Sequence, residues 1–265
     1  MLEIGISPDQ RVIPGAGLSA FAKAATSDDR AQATPAAGFV GAPPIPVYLE
    51  ETYWWAYVRP WAIRIFERKW LTNMILLGNY ARLRDAALGE IGSQPRLRTL
   101  QVACVYGDLS IRLAGQVADA DGTLDVVDVV PLQLRNLQRK LDPDADVGLL
   151  HRDSTSLGIA DASYDRVVLF FLLHEQPWGT RRRTLAEAVR VTRPGGKIIL
   201  VDYDRPRWWH PLRGIMRAVL GRLEPFALDL WTVPLDSYVP EAFRCTRVQK
   251  CSYFGDLYQM VVMTR

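Results

Sequence analysis

From residue 97 onward the chain alternates short apolar runs with segments of helical period, and this alternation allows few folds. Strands are expected over 97–105, 123–129, 146–151, 165–171 and 197–203, with helices over 108–117, 131–141 and 181–192. Strand–helix–strand units join their strands in parallel, so they imply an α/β domain around a mostly parallel sheet. Near-continuous apolar runs such as 167–173 suit strands covered on both faces. Pro131 opens one helix, where its missing N–H costs little, and Pro194-Gly195-Gly196 closes another. A short basic helix over 211–222 and closing strands over 243–250 and 258–264 complete a seven-stranded sheet with helices on both faces.

Two segments precede this domain, which is expected to span 93–265. Residues 1–44 are rich in Ala, Gly, Pro, Ser and Asp, have little to bury, and are expected to form a disordered tail. Asp9, Asp28 and Asp29 argue against a transit peptide. Residues 45–92 crowd aromatics together, among them Tyr53, Trp54, Trp55, Tyr57 and Trp61. Within them Ile63, Phe66, Trp70, Met74 and Leu77 recur at steps of three and four, which predicts one or two amphipathic helices forming a cap.

The bulk numbers mainly exclude. Hydrophobic residues are 49% of 265, enough for one buried core. A net charge of +3 is too small to point to nucleic acid. No run approaches the roughly 20 apolar residues of a spanning helix, and residues 1–40 lack the apolar core of a signal peptide. Cys104, Cys245 and Cys251 are an odd set without metal spacing, so reduced thiols and a cytoplasmic location are expected.

The chemistry-bearing residues fall at strand ends. Gln101-Val102-Ala103-Cys104-Val105-Tyr106-Gly107-Asp108 follows the first strand and opens a helix, the place where open parallel sheets bind ligands. Asp128 ends the second strand; it either accepts hydrogen bonds from ribose hydroxyls or caps the strand end. Asp153-Ser154 follows the third strand, Asp161–Asp165 precedes the fourth, and a block ending Arg193-Pro194-Gly195-Gly196-Lys197 precedes the fifth.

In this order the motifs resemble the ubiquinone and menaquinone methyltransferases, class I Rossmann-like enzymes that use S-adenosylmethionine. The resemblance implies that Asp128 and Val129 bind the ribose and that Asp153 and Ser154 flank the adenine. It places Gln101, Ala103, Val105, Tyr106, Gly107 and Phe170 around the same cofactor. The family's first loop carries an acid and three glycines; here Gln101, Ala103 and Val105 stand at the acid and the first two glycines. Glycines there let a backbone approach its ligand, so Val105 and Tyr106 are expected to crowd the methionine end.

With these departures the chain after Val47 is similar to the rhodoquinone biosynthesis proteins. The residues are Tyr53-Trp54-Trp55-Ala56-Tyr57, Trp70–Asp85, the first loop, Phe171-Leu172-Leu173-His174-Glu175-Gln176-Pro177 and Val201-Asp202-Tyr203. That resemblance implies replacement of a ubiquinone methoxy group by an amino group. S-adenosylmethionine then supplies nitrogen, and Mn2+ assists. An uncharged Gln101 would lower the donor amine's pKa toward the nucleophilic form. The rivals are a conventional quinone methyltransferase and a non-catalytic quinone-binding assembly factor.

Manganese takes oxygen and imidazole ligands, and the chain has three histidines. His174, Glu175 and Asp202 are the candidate metal ligands, and His174, Glu175 and Tyr203 the candidate catalytic groups. The alternative for His174 is a core or substrate-orienting histidine; His151 reads as structural. Arg205, Arg207, Arg213, Arg217 and Arg222 surround Trp208 and Trp209. This mixture is expected either at a membrane surface, giving peripheral association with the inner membrane, or on a solvated helix face.

Overall fold

The computed structural model describes residues 42–53, 68–104, 106–241 and 245–265. The expected tail up to residue 41, the aromatics between 54 and 67, and Val105 lie outside the described residues.

A seven-stranded sheet runs β3-β2-β1-β4-β5-β7-β6. Its strands are β1 (Arg98–Val102), β2 (Thr123–Asp128), β3 (Val147–His151), β4 (Tyr164–Phe170), β5 (Thr192–Tyr203), β6 (Arg247–Tyr253) and β7 (Tyr258–Thr264). The first five pair in parallel, and β7 runs antiparallel between β5 and β6. The expected class I architecture is therefore present. Strand order reverses between β1 and β4, and right-handed crossovers on either side of that reversal place helices on opposite faces. These are α4 (Leu109–Ala118) and α5 (Pro131–Lys140) on one side and α6 (Trp178–Val191) on the other.

The helices ahead of β1 are α1 (Val47–Thr52), α2 (Lys69–Ile75) and α3 (Tyr80–Ile91). α2 and α3 are separate because Leu77 and Gly78 both take left-handed backbone, φ 51° and 81°. Gly78 adopts this without steric cost, and a continuous helix through Leu77 is ruled out. α3 buries Tyr80, Leu83, Ala87, Leu88 and Ile91 in the main core.

Two boundaries differ from expectation for local reasons. β1 stops at Val102, because Ala103 has φ 71° and leaves the sheet. β6 starts and ends later than 243–250. The tight turn Phe254–Leu257 sets Tyr253 opposite Tyr258, and the register follows from that turn. After β5 the basic helix forms as α7 (Arg213–Leu223).

One buried cation joins the sheet to the segment beyond α7. Arg181 on α6 is wholly buried; it donates to Leu173 O at 2.7 Å, Phe226 O at 2.7 Å and the Tyr238 hydroxyl at 2.8 Å. Removing a buried, hydrogen-bonded charge leaves its acceptors unpaired. Arg181→Met is expected to lower unfolding stability by about 3–5 kcal/mol, read from urea denaturation midpoints. A change below about 1 kcal/mol would contradict this role.

Candidate functional site

The strand-order reversal opens a cavity beyond the C-terminal ends of β1, β2 and β4. Its walls include Ala103, Tyr106, Asp128, Val129, Asp153 and Ser154, six of the residues expected there. Glu175, Gln176, Phe171 and Tyr48 also line it.

Asp128 is buried at the end of β2. Its two oxygens accept the Cys104 and Val130 N–H groups, each at 2.7 Å. Burial pushes its pKa up and these N–H groups pull it back, leaving it at about 6. The Cys104 thiol and the Val129 N–H also approach the carboxylate, so a ligand hydroxyl would bind there in place of the weak thiol donor. Gln176 is fully buried and gives its Nε2 to Ser154 Oγ at 3.0 Å. Its Oε1 faces no hydrogen-bond partner among the described residues. A polar nucleoside fits this half of the cavity: Asp128 offers paired acceptors, and Gln176 offers an unsatisfied one.

The other half is filled by the chain itself. Gln101 is buried and donates to Ala103 O and Ser110 Oγ, both at 2.9 Å. Tyr106 is buried, and its hydroxyl accepts Gln133 Nε2 at 3.0 Å. The N–H groups of Asp108 and Leu109, at the start of α4, both donate to the Tyr80 hydroxyl, at 2.8 and 3.0 Å. Gly107 faces that hydroxyl and does not line the cavity. Phe170 is likewise not on the wall; it packs against Tyr80 and Phe171 in the core. Phe171 takes its place, because φ 55° at Phe171 breaks the strand's alternation.

Behind Glu175 lies a buried imidazole among carboxylates. His174 follows β4 in a short 3-10 turn, and Asp202 is the penultimate residue of the adjacent β5. His174 Nδ1 sits 3.1 Å from Asp202 Oδ1, so Nδ1–H donates to that acceptor-only group. Nε2 faces Glu175 Oε1 at 3.6 Å and Glu224 Oε2 at 4.0 Å. The Tyr53 hydroxyl donates to Glu224 at 3.2 Å, and the Tyr203 ring meets the imidazole edge-on. The Tyr203 hydroxyl is buried without a hydrogen-bond partner among the described residues.

Burial, the largest influence, pushes the His174 pKa down, but Asp202, Glu224 and Glu175 outweigh it and raise it to about 9. Glu224 and Tyr53 were not expected from sequence. Glu224 is the first acid after an arginine-rich stretch, and nothing local marks it as a site residue.

The expected manganese set does not assemble. Asp202 is already engaged by the Leu173 N–H at 2.8 Å, the Tyr203 N–H at 3.0 Å and His174. Asp202 meets Nδ1 while Glu175 meets Nε2, so no single ring nitrogen could share an ion with both carboxylates. Among the described residues no group of three or more His, Cys, Asp or Glu side chains is placed to hold a metal ion. His151 Nε2 lies 3.1 Å from Val129 O.

Comparison with known proteins agrees with this architecture. A family model described as a methyltransferase domain matches residues 99–196. The demethylmenaquinone methyltransferase of Renibacterium salmoninarum is 32% identical over 157 residues, 58% of this chain and 62% of that protein. That of a Parafrankia species is 30% identical over 176 residues, 65% of this chain and 67% of that protein. The chain thus spans less than two thirds of the Renibacterium protein. An O-methyltransferase family protein from Burkholderia thailandensis superposes with a TM-score of 0.57 at 15% identity, covering 77% of this chain and 59% of that one. The N-methyltransferase NodS of Bradyrhizobium japonicum, solved with S-adenosyl-L-homocysteine, gives 0.53 at 15% identity, covering 77% and 97%. Both likenesses establish the fold alone. The chain belongs to the class I S-adenosylmethionine-dependent methyltransferases. Within that class it is related to the demethylmenaquinone methyltransferases.

A raised histidine pKa links stability to pH. The stabilisation from protonated His174 is fully present below about 6.5 and is lost as pH rises through about 9. Asp202→Asn removes the strongest raising partner. The stability gap between wild type and this variant is therefore expected to close across that window. Imidazole NMR titration checks the cause; a wild-type His174 titrating near its ordinary value would refute it.

Proposed function

We propose that this chain transfers a methyl group from S-adenosylmethionine to a quinone-type ring. The observation that carries the reading is the continuity of two features. The cavity bearing Asp128 shares Glu175 with the buried His174 cluster. When bound, the donor supplies an electrophilic methyl carbon on a sulfonium. Asp128 would accept the ribose hydroxyls, and Gln176, Asp153 and Ser154 would border the adenine. The relatives named for demethylmenaquinone methylation support a quinone ring as the acceptor.

The chain's own groups then have distinct tasks. Asp202 fixes the imidazole through Nδ1 and favours its protonated form. Protonated His174 holds Glu175 and Glu224 near one another despite their like charge. Glu175, the one of the two that borders the cavity, would take the proton from a ring hydroxyl as the acceptor becomes nucleophilic. Tyr203 lies edge-on against the imidazole, and its hydroxyl is buried without a hydrogen-bond partner among the described residues.

A second reading, amino transfer to ubiquinone in rhodoquinone formation, is favoured by one feature: the neutral Gln101 with its filled loop. No step through manganese is assigned, because Asp202 and Glu175 lie at opposite nitrogens of the His174 ring.

Donor labelled with deuterium on the methyl and nitrogen-15 on the amine separates the readings when offered with demethylmenaquinol or ubiquinone. A deuterated methyl in the first product supports methyl transfer. Nitrogen-15 in the second product, with loss of methoxy, supports amino transfer. Neither label in any lipid would defeat both. Donor affinity is further expected to weaken as pH falls below about 6, because Asp128 must be ionised to accept two hydroxyls. Asp128→Asn should weaken it ~10-fold or more at neutral pH, measured calorimetrically.

A further inference from the structure

Most of the large apolar side chains exposed among the described residues belong to two segments. On α2, Trp70 is 60% exposed and Met74 58%, one helical turn apart on one face. Across the segment after β5, Trp208 is 84% exposed, Trp209 54% and Ile215 61%. The two segments meet at the β6–β7 turn. The Tyr258 hydroxyl donates to Leu76 O, Phe254 stacks on Tyr258, and His210 meets Phe254 edge-on. Arg207 N–H donates to Gly255 O in the same turn.

The second segment is also one-signed. Residues 205–223 hold five arginines and no acid. Arg213 is spent on Pro206 O, and Arg207 on Asp256 and the Trp209 ring. Arg205, Arg217 and Arg222 are exposed. α7 buries Met216 and Leu220, while its outer face presents Ile215, Arg217, Arg222 and Leu223. Solvated faces normally intersperse both charge signs and few large apolar groups. Tryptophan beside arginine suits a bilayer interface, where the ring enters the headgroup layer and the cation meets lipid phosphate.

We propose that α2 and residues 205–223 form one docking face for an anionic lipid bilayer. Trp70, Met74, Trp208, Trp209 and Ile215 enter the headgroup region; Arg205, Arg217 and Arg222 pair with lipid phosphates. A second copy of the chain fits this face less well, because a two-fold contact sets the same arginines against each other. The inference does not depend on which group the enzyme transfers.

Co-sedimentation of the full chain with quinone-free vesicles tests it. The probes are phosphatidylcholine alone and an equimolar mixture with phosphatidylglycerol. Wild type is expected to bind the mixed vesicles and to be released by salt. Each arginine at an anionic surface is worth about fivefold, so Arg217→Glu with Arg222→Glu should weaken binding ~25-fold or more. Trp208→Ala with Trp209→Ala should weaken it with the charge unchanged. All four positions are surface-facing, and melting temperatures equal to wild type confirm folding. Absence of binding, indifference to lipid charge, or unaltered binding by both variants would overturn the proposal. So would light scattering that shows a dimer abolished by the tryptophan variant.

Discussion

The candidate site hangs on one buried carboxylate. Asp202, the penultimate residue of β5, receives the Leu173 N–H, the Tyr203 N–H and His174 Nδ1. Leu173 opens the turn that follows β4, so a single side chain ties the ends of two adjacent strands and aims the imidazole between them. A buried acceptor with three donors is satisfied and its geometry over-determined. The direction in which His174 Nε2 points follows from that constraint, and with it the placing of Glu175 at the cavity edge.

The remaining walls arrive from distant parts of the chain. Glu224 follows α7, and Tyr53 belongs to the end of α1; their hydrogen bond spans 171 residues of sequence. Arg181 fixes the same assembly from beneath. One guanidinium holds the carbonyl of Leu173, just before His174, and the carbonyl of Phe226, just after Glu224. Two loops that carry facing charges are thus anchored to one rigid group on a helix. The spacing of 3.6 and 4.0 Å around Nε2 is therefore a property of the fold and not of the loops alone.

This division explains what could be read in advance. The five parallel strands were legible because apolar runs and turn residues are local signals; their order in the sheet comes from the structure. Asp128, His174, Glu175 and Asp202 were legible because strand ends at a topological reversal are where sites form. Phe170 was misplaced because alternation along β4 ends one residue early, at the left-handed Phe171. One or two helices were open in the segment before the sheet, and the break between α2 and α3 is settled by Leu77, which adopts a backbone that its residue type does not advertise. Arg181 is the first of three arginines in a row, and nothing in that run marks it as the largest side chain wholly buried among the described residues. Its role depends on Phe226 and Tyr238, which no local pattern connects to it.

The first loop shows why the two catalytic readings share so much. Ala103 holds φ 71° without being glycine, a conformation that costs about 1–2 kcal/mol. Such strain persists only where neighbours enforce it. Here Ala103 N–H donates to Val127 O, its carbonyl accepts Gln101 Nε2, and the next N–H donates to Asp128. Both backbone polar groups of Ala103 and the Cys104 N–H are thereby spent on the chain itself. On either reading the nucleoside end of a donor meets the same Asp128 and Gln176. At Gln101 a neutral amide stands where the resemblance leads one to expect a carboxylate, turned to Ala103 O and Ser110 Oγ and away from the cavity wall. A neutral amide neither holds an ammonium charge nor suppresses its loss, so on the proposed reading Gln101 would bear on which atom is delivered more than on whether the donor binds.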